Sequence, residues 1–168
     1  NWEDTMQKIH FKAPNCWIND PNGFIWYMGQ YHLFYQCFPY APQWGRMHWG
    51  HAVSKDLVNW EEKGIALYPT KTDDRSGCFS GSAVEQDGTL YLYYTGVNYL
   101  EENPEDINQC LNDQFLAAQM MISSTDGMTF DNVYDKKTII LPIAEDKIGS
   151  KTHTRDPKVW CGKDAWYM

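Results

Sequence analysis

The chain lacks any C-x-x-C pair, and its five cysteines (Cys16, Cys37, Cys78, Cys110 and Cys161) are an odd number. That pattern speaks against a disulfide framework and against a zinc site, and it fits a reducing compartment. No run approaches the ~18 consecutive apolar residues of a membrane-spanning helix, and no charged-then-apolar opening reads as a signal peptide. No N-x-S/T glycosylation acceptor occurs. Basic residues are few: 14 Lys and Arg face 22 Asp and Glu, for a net charge of −8. With no cationic stripe to follow phosphates, neither nucleic acid nor a membrane is an expected partner, and a small neutral ligand suits the surface better. The expected location is a bacterial-type cytoplasm, with secretion left open because the chain starts at Asn1 rather than at a methionine.

Long helical periodicity is also missing. In its place stand short aromatic and β-branched runs punctuated by glycine turns, within a composition that is 43% hydrophobic and 15% aromatic and can bury a core. The clearest hairpin covers residues 82–95, where Ala83-Val84 and the run Leu90-Tyr91-Leu92-Tyr93-Tyr94 flank the turn dipeptide Asp87-Gly88. Residues 24–36 match it around Met28-Gly29-Gln30, and residues 158–168 match it around Cys161-Gly162-Lys163-Asp164. A second element recurs at an offset of 70, from Ser54-Lys55-Asp56 to Ser124-Thr125-Asp126, each triplet preceded by a strand and followed by an aromatic residue. Inner hairpin plus outer hairpin makes a four-stranded unit, and its recurrence is how a β-propeller blade shows itself in sequence. A β-sandwich also has closely spaced strands, but these do not normally repeat as matched hairpin pairs. The expected fold is therefore all-β and propeller-like. Blade 1 falls at about 17–66, blade 2 at about 78–142 and the start of a third at about 153–168, with residues 98–114 as a polar loop inserted in the second.

Each inner hairpin is preceded by a small polar motif: Asn19-Asp20-Pro21-Asn22-Gly23, Ser80-Gly81-Ser82 and Arg155-Asp156-Pro157. D-P-N-G alone is a common turn sequence. In a propeller, however, equivalent positions of successive innermost strands converge on one axial pocket, so Asp20 and Asp156 are expected to face the same cavity. The nearby aromatics and amides (Trp17, Asn19, Gln36, Trp44, Trp49, Phe79) are what a sugar site needs, flat apolar faces for C–H groups and polar partners for hydroxyls.

W-I-N-D-P-N-G at residues 17–23, F-Y-Q at 34–36, M-H-W-G-H-A at 47–52, F-S-G-S-A at 79–83 and R-D-P-K at 155–158 resemble glycoside hydrolase family 32, the invertases, sucrose-6-phosphate hydrolases and fructan hydrolases. The resemblance covers nearly the whole chain and implies a five-bladed propeller that cleaves β-fructosides with retention. It implies Asp20 as nucleophile and Asp156 as transition-state stabiliser. Asn19, Gln36, Trp44, Phe79, Ser80 and Arg155 match substrate-pocket positions. The family's general acid is a glutamate on a later blade; Glu61, Glu62, Glu85, Glu101, Glu102 and Glu105 do not suit that role, so these 168 residues alone are expected to be inactive, awaiting the rest of the catalytic domain. A C-terminal β-sandwich that family members usually append is likewise not expected within them.

The alternative from another class is a non-catalytic, lectin-like propeller with the same pocket. No cofactor or metal is implied: His48 and His51 form an H-x-x-H pair, but strand geometry points them to opposite faces and no third ligand is evident. Arg46, His48, Lys151 and His153 are the candidates for holding the phosphate of sucrose 6-phosphate, should that be the substrate rather than sucrose. Cys16, Cys37 and Cys78 read as packing residues, with no basic group expected beside them.

Overall fold

The computed structural model describes residues 11–12, 16–144 and 148–168. Two four-stranded antiparallel sheets dominate. The first runs β1 (Trp17–Tyr27), β2 (Gln30–Phe38), β3 (His48–Ser54) and β4 (Glu61–Leu67) in simple order. The second has β5 (Gly77–Gln86), β6 (Thr89–Tyr99), β9 (Phe115–Ser124) and β10 (Lys137–Ile140), again with neighbours in sequence order apart from an excursion between β6 and β9. That excursion, expected as a polar loop, folds into a small hairpin of β7 (Glu102–Asn103) and β8 (Asp106–Cys110). A third hairpin begins with β11 (Trp160–Cys161) and β12 (Trp166–Tyr167). Among the described residues there is no α-helix, and none long and apolar enough to cross a membrane. The architecture is that of β-propeller blades.

Turn chemistry sets the register of both sheets. Met28-Gly29 (φ 47° and 80°) and Asp87-Gly88 (φ 51° and 78°) close the inner hairpins with two residues in the left-handed region, matching the twist of the strands they join. At the same end of each sheet, Ser54 Oγ accepts two backbone N–H groups and Ser124 Oγ one, and Asp56 and Asp126 each accept two more on Oδ1. These carboxyls are held well below their usual range, chiefly by those backbone hydrogen bonds. Tyr31 lies opposite Ser54 and Leu90 opposite Ser124, so the sheets correspond position by position.

The core forms where one face of the first sheet meets the second. Phe34, Trp49 and Leu67 pack with Leu90, Leu92, Tyr94, Met120 and Ile122, all fully buried. Gly23 permits the close passage of β1 past β5: its φ is 52°, and a Cβ there would stand 2.9 Å from the Phe34 ring and 3.3 Å from Ala83. His32 and His51 are buried on this face. His32 Nε2 donates to Tyr27 O (3.2 Å), which leaves Nδ1 to accept from His51 Nε2 at 3.0 Å. Burial first, then the charges of His32 and Lys63, push His51 down to about 3.

The connector between the sheets is pinned to the second one. Asn132 donates to Ala66 O and accepts from Tyr68 N, and Lys71 Nζ donates to Val133 O. Lys136 and Asp74 form a fully buried ion pair at 2.6 Å, with Lys136 also on Tyr68 O and Asp74 also accepting from Tyr94 OH. Paired and hydrogen-bonded charges tolerate burial where isolated ones do not. This pair corrects one expectation. Lys136 Nζ lies 3.8 Å from Cys78 Sγ, so a basic group does neighbour that thiol, yet burial outweighs it and pushes the thiol well up.

Candidate active site

Asp20 sits on β1 just where the ladder to β2 is irregular, between the pairs Ile18↔Cys37 and Pro21↔Tyr35. The bulge turns its carboxylate outward, leaving it exposed. Ser80, on the lead-in of the second sheet, donates from Oγ to Asp20 Oδ2 at 2.7 Å. Two residues on, the buried Asn22 accepts from Gly81 N on Oδ1 at 3.2 Å, so β1 and β5 are joined on both sides of Pro21. Asn22 Nδ2 is buried with no hydrogen-bond partner among the described residues.

Asp156 reaches the same place by another route. It belongs to no strand and has a φ of 63°, in the left-handed region. Asp tolerates that region better than most residues because its short polar side chain can bond locally. Its backbone N–H donates to Thr95 Oγ1 (2.8 Å), Thr95 donates to Gln119 Oε1 (2.9 Å), and Gln119 Nε2 donates to Thr154 O (2.8 Å). Ser82 Oγ bonds Pro157 O (2.8 Å) and Val159 N (3.0 Å). Although Asp156 keeps much of its surface exposed, the packing about it raises its carboxyl above the ordinary range. The negative charge of Asp20 adds to the rise, and Arg155 opposes it. The two carboxylates are thus close enough to repel, with a guanidinium beside them.

The other expected pocket residues divide into three groups. Trp44 and Phe79 meet edge to face (6.2 Å, 82°), and Phe79 continues onto Phe115 and then His153, an aromatic row beside Ser80. Asn19 is exposed on β1, its Oδ1 accepting from Trp17 Nε1. Gln36 lies underneath: it is buried, and its Nε2 donates to Cys78 O at 2.8 Å, while Trp49 Nε1 donates to Phe79 O at 3.1 Å. The residues that composition and motif reading missed are Thr95 and Gln119. The only sequence signal was a polar residue interrupting an apolar strand run, which a buried position must satisfy with hydrogen bonds.

Among the phosphate candidates, Arg46 is engaged by Glu102 (2.6 Å) and Ile107 O, and His153 is exposed at the end of the aromatic row. His48, expected at the rim, is instead buried, with Nδ1 bonded to Arg46 O and its ring edge-on to Tyr40. Glu62 has a carboxyl raised by burial, a property often found in general acids. It lies elsewhere, however, on β4, accepting from Tyr35 OH in a cavity of about 200 Å³ that Cys16 and Cys37 also line. Among the described residues no group of three or more His, Cys, Asp or Glu side chains gathers as metal ligands.

Blade-type sheets whose lead-in segments bring two aspartates together beside an aromatic row define a β-propeller domain. Residues 10–168 match the Glycosyl hydrolases family 32 N-terminal domain, and the chain belongs to that family. It is 46% identical over 161 residues to a sucrose-6-phosphate hydrolase of Zymomonas mobilis, covering 95% of this chain and 29% of that protein. A sucrose-6-phosphate hydrolase of Escherichia coli is 43% identical over 160 residues, covering 95% of this chain and 31% of that protein. The structure resembles a Bombyx mori GH32 beta-fructofuranosidase with a TM-score of 0.75 and 37% identity, over 95% of this chain and 30% of that one. A mutant of that enzyme was solved in complex with sucrose. The chain therefore spans under a third of the length of each of these relatives.

Proposed function

We propose that this chain supplies the nucleophile and the transition-state stabiliser of a retaining glycoside hydrolase acting on the β-fructofuranosidic bond of sucrose or sucrose 6-phosphate. The observation that carries the reading is the meeting of Asp20 and Asp156 from separate units, one held by Ser80 and the other raised by the packing about it, with the charge of Asp20 adding to the rise. Ser80 occupies Oδ2 of Asp20, which leaves Oδ1 to attack the anomeric carbon of the fructosyl unit. As that bond forms, the bond to the leaving oxygen breaks, and water later cleaves the glycosyl-enzyme ester. Asp156 and Arg155 hold fructosyl hydroxyls, contacts that tighten as the ring becomes oxocarbenium-like. Trp44 and Phe79 offer apolar faces, and Asn19 a polar contact.

The leaving oxygen needs a proton donor. Glu61 and Glu62 lie on β4, Glu85 at the turn end of β5, and Glu101, Glu102 and Glu105 on the inserted hairpin. Among the described residues none of these glutamates is bonded to the Asp20–Ser80 pair, and these 168 residues alone are expected to lack general acid catalysis, typically worth about 10² to 10⁴-fold. The test is release of fructose and glucose from sucrose and from sucrose 6-phosphate by the natural-length polypeptide, beside Asp20→Asn. Hydrolysis lost with that one change supports the assignment; sugar binding without hydrolysis in the unmodified protein would replace it with a sugar-binding role.

A further inference from the structure

The two sheets correspond in register, and that correspondence extends to the groups that fasten the next unit. Aligning Tyr31 opposite Ser54 with Leu90 opposite Ser124 places the pair Gln36↔Trp49 on the pair Thr95↔Gln119. On the inner strands, Asn22 opposite Phe34 falls on Ser82 opposite Tyr93. The side chains differ completely, Asn, Gln and Trp against Ser, Thr and Gln, yet their tasks agree. Asn22, Gln36 and Trp49 bond Gly81 N, Cys78 O and Phe79 O, the backbone that carries Phe79 and Ser80. Ser82, Thr95 and Gln119 bond Pro157 O and Val159 N, Asp156 N, and Thr154 O, the backbone that carries Arg155 and Asp156.

We propose that Ser82, Thr95 and Gln119 are positioning residues for Asp156, the second-sheet copy of the fastening that Asn22, Gln36 and Trp49 apply to Phe79 and Ser80. The need differs between the two copies. Residues 77–81 are already held by the ladder of β5 with β6, whereas residues 154–159 belong to no sheet and include the left-handed Asp156. A backbone in that region persists only where its surroundings over-determine it. Thr95, with no exposed surface, accepts the Asp156 N–H while its own hydroxyl proton is spent on Gln119, so its rotor has one orientation. The pair fixes the direction from which the Asp156 carboxylate enters the site.

This inference rests on Asp156 acting in the reaction, and the test separates the two. In the natural-length polypeptide, Thr95→Val keeps the shape and removes the acceptor, while Thr95→Ser keeps the oxygen. Thr95→Val is expected to lower kcat on sucrose at least tenfold with KM changed less than twofold, and Thr95→Ser to restore it. In an Asp156→Asn background the same Thr95→Val should cost less than twofold, because the carboxylate it positions is gone. A full repeat of the loss in that background would make Thr95 a general stability residue and overturn the proposal. If Asp156→Asn alone leaves kcat unchanged, the catalytic reading of Asp156 fails instead. The proposal itself is then judged by amide hydrogen exchange at Asp156, which should accelerate in Thr95→Val and not in Thr95→Ser; unchanged exchange would overturn it.

Discussion

The two carboxylates of the site are held in opposite ways. Asp20 takes its place from the strand it belongs to: β1 is paired along β2, a bulge turns the side chain out, and one hydroxyl from Ser80 completes the arrangement. Asp156 has no ladder. Its place comes from side chains of the preceding unit that reach across to backbone atoms of an irregular segment. A position written into a strand survives most single changes nearby, whereas one written into a few hydrogen bonds depends on each of them.

That contrast can be attacked directly in the natural-length polypeptide. Asp20→Asn, which keeps the shape and removes the attacking oxyanion, should lower hydrolysis by on the order of 10³-fold or more, measured as fructose release. Asp156→Asn should cost less, on the order of 10²-fold in kcat, because it removes transition-state stabilisation and leaves the nucleophile intact. The pH profile sharpens the pair further. In the proposed role Asp156 works ionised, and its carboxyl is raised, so activity should fall on acidification at a pH above the ordinary aspartate value of ~3.9. Arg155→Met removes the one cation that opposes the rise and should move that acid limb upward.

Elsewhere the two sheets allow a comparison of stability. His51 in the first sheet corresponds to Met121 in the second. With a folded pKa of about 3 against an ordinary value of ~6.5, the unfolded chain binds the proton first, so His51 costs stability as pH falls between those values. The loss should be about 1 kcal/mol per pH unit in urea unfolding, with His32 acting in the same direction, and His51→Met should flatten the slope. The smallest effects belong to the matching outer turns. Ser54→Ala and Ser124→Ala should each cost about 1 kcal/mol, since the first removes a buried hydroxyl that accepts two backbone N–H groups and the second one that accepts a single N–H. Markedly unequal losses would show that the two turns differ in load.

The residues that announce themselves in sequence are those whose bonding is local. Asp87-Gly88, Met28-Gly29 and the two S-x-D turns close over two to five residues, and their partners sit beside them in the chain. The lead-in motifs around Asp20, Ser80 and Asp156 were equally legible, because each precedes a hairpin. What could not be read depends on register between distant strands. Thr95 meets Asp156 across 61 positions, and Lys136 meets Asp74 across 62. His48 illustrates the same limit: its place in a sugar-site motif suggested a ligand contact, but β3 is buried along its whole length and His48 lies beneath Tyr40. Cys78 could not be known to have a cationic neighbour until the connector had been followed back to the second sheet.

That connector has a mechanical consequence. A link between repeated units is ordinarily where a chain bends or is cut. Here Ala66, Tyr68 and Lys71 are committed to Asn132 and Val133, and the charge of Asp74 is spent on Lys136. Asp74 and Lys136 both sit against the second sheet, so they would stay paired if the sheets parted; what would break first is the bond from Asn132 to Ala66 at the end of β4. The connector therefore moves with the second sheet, and the bend falls at its start.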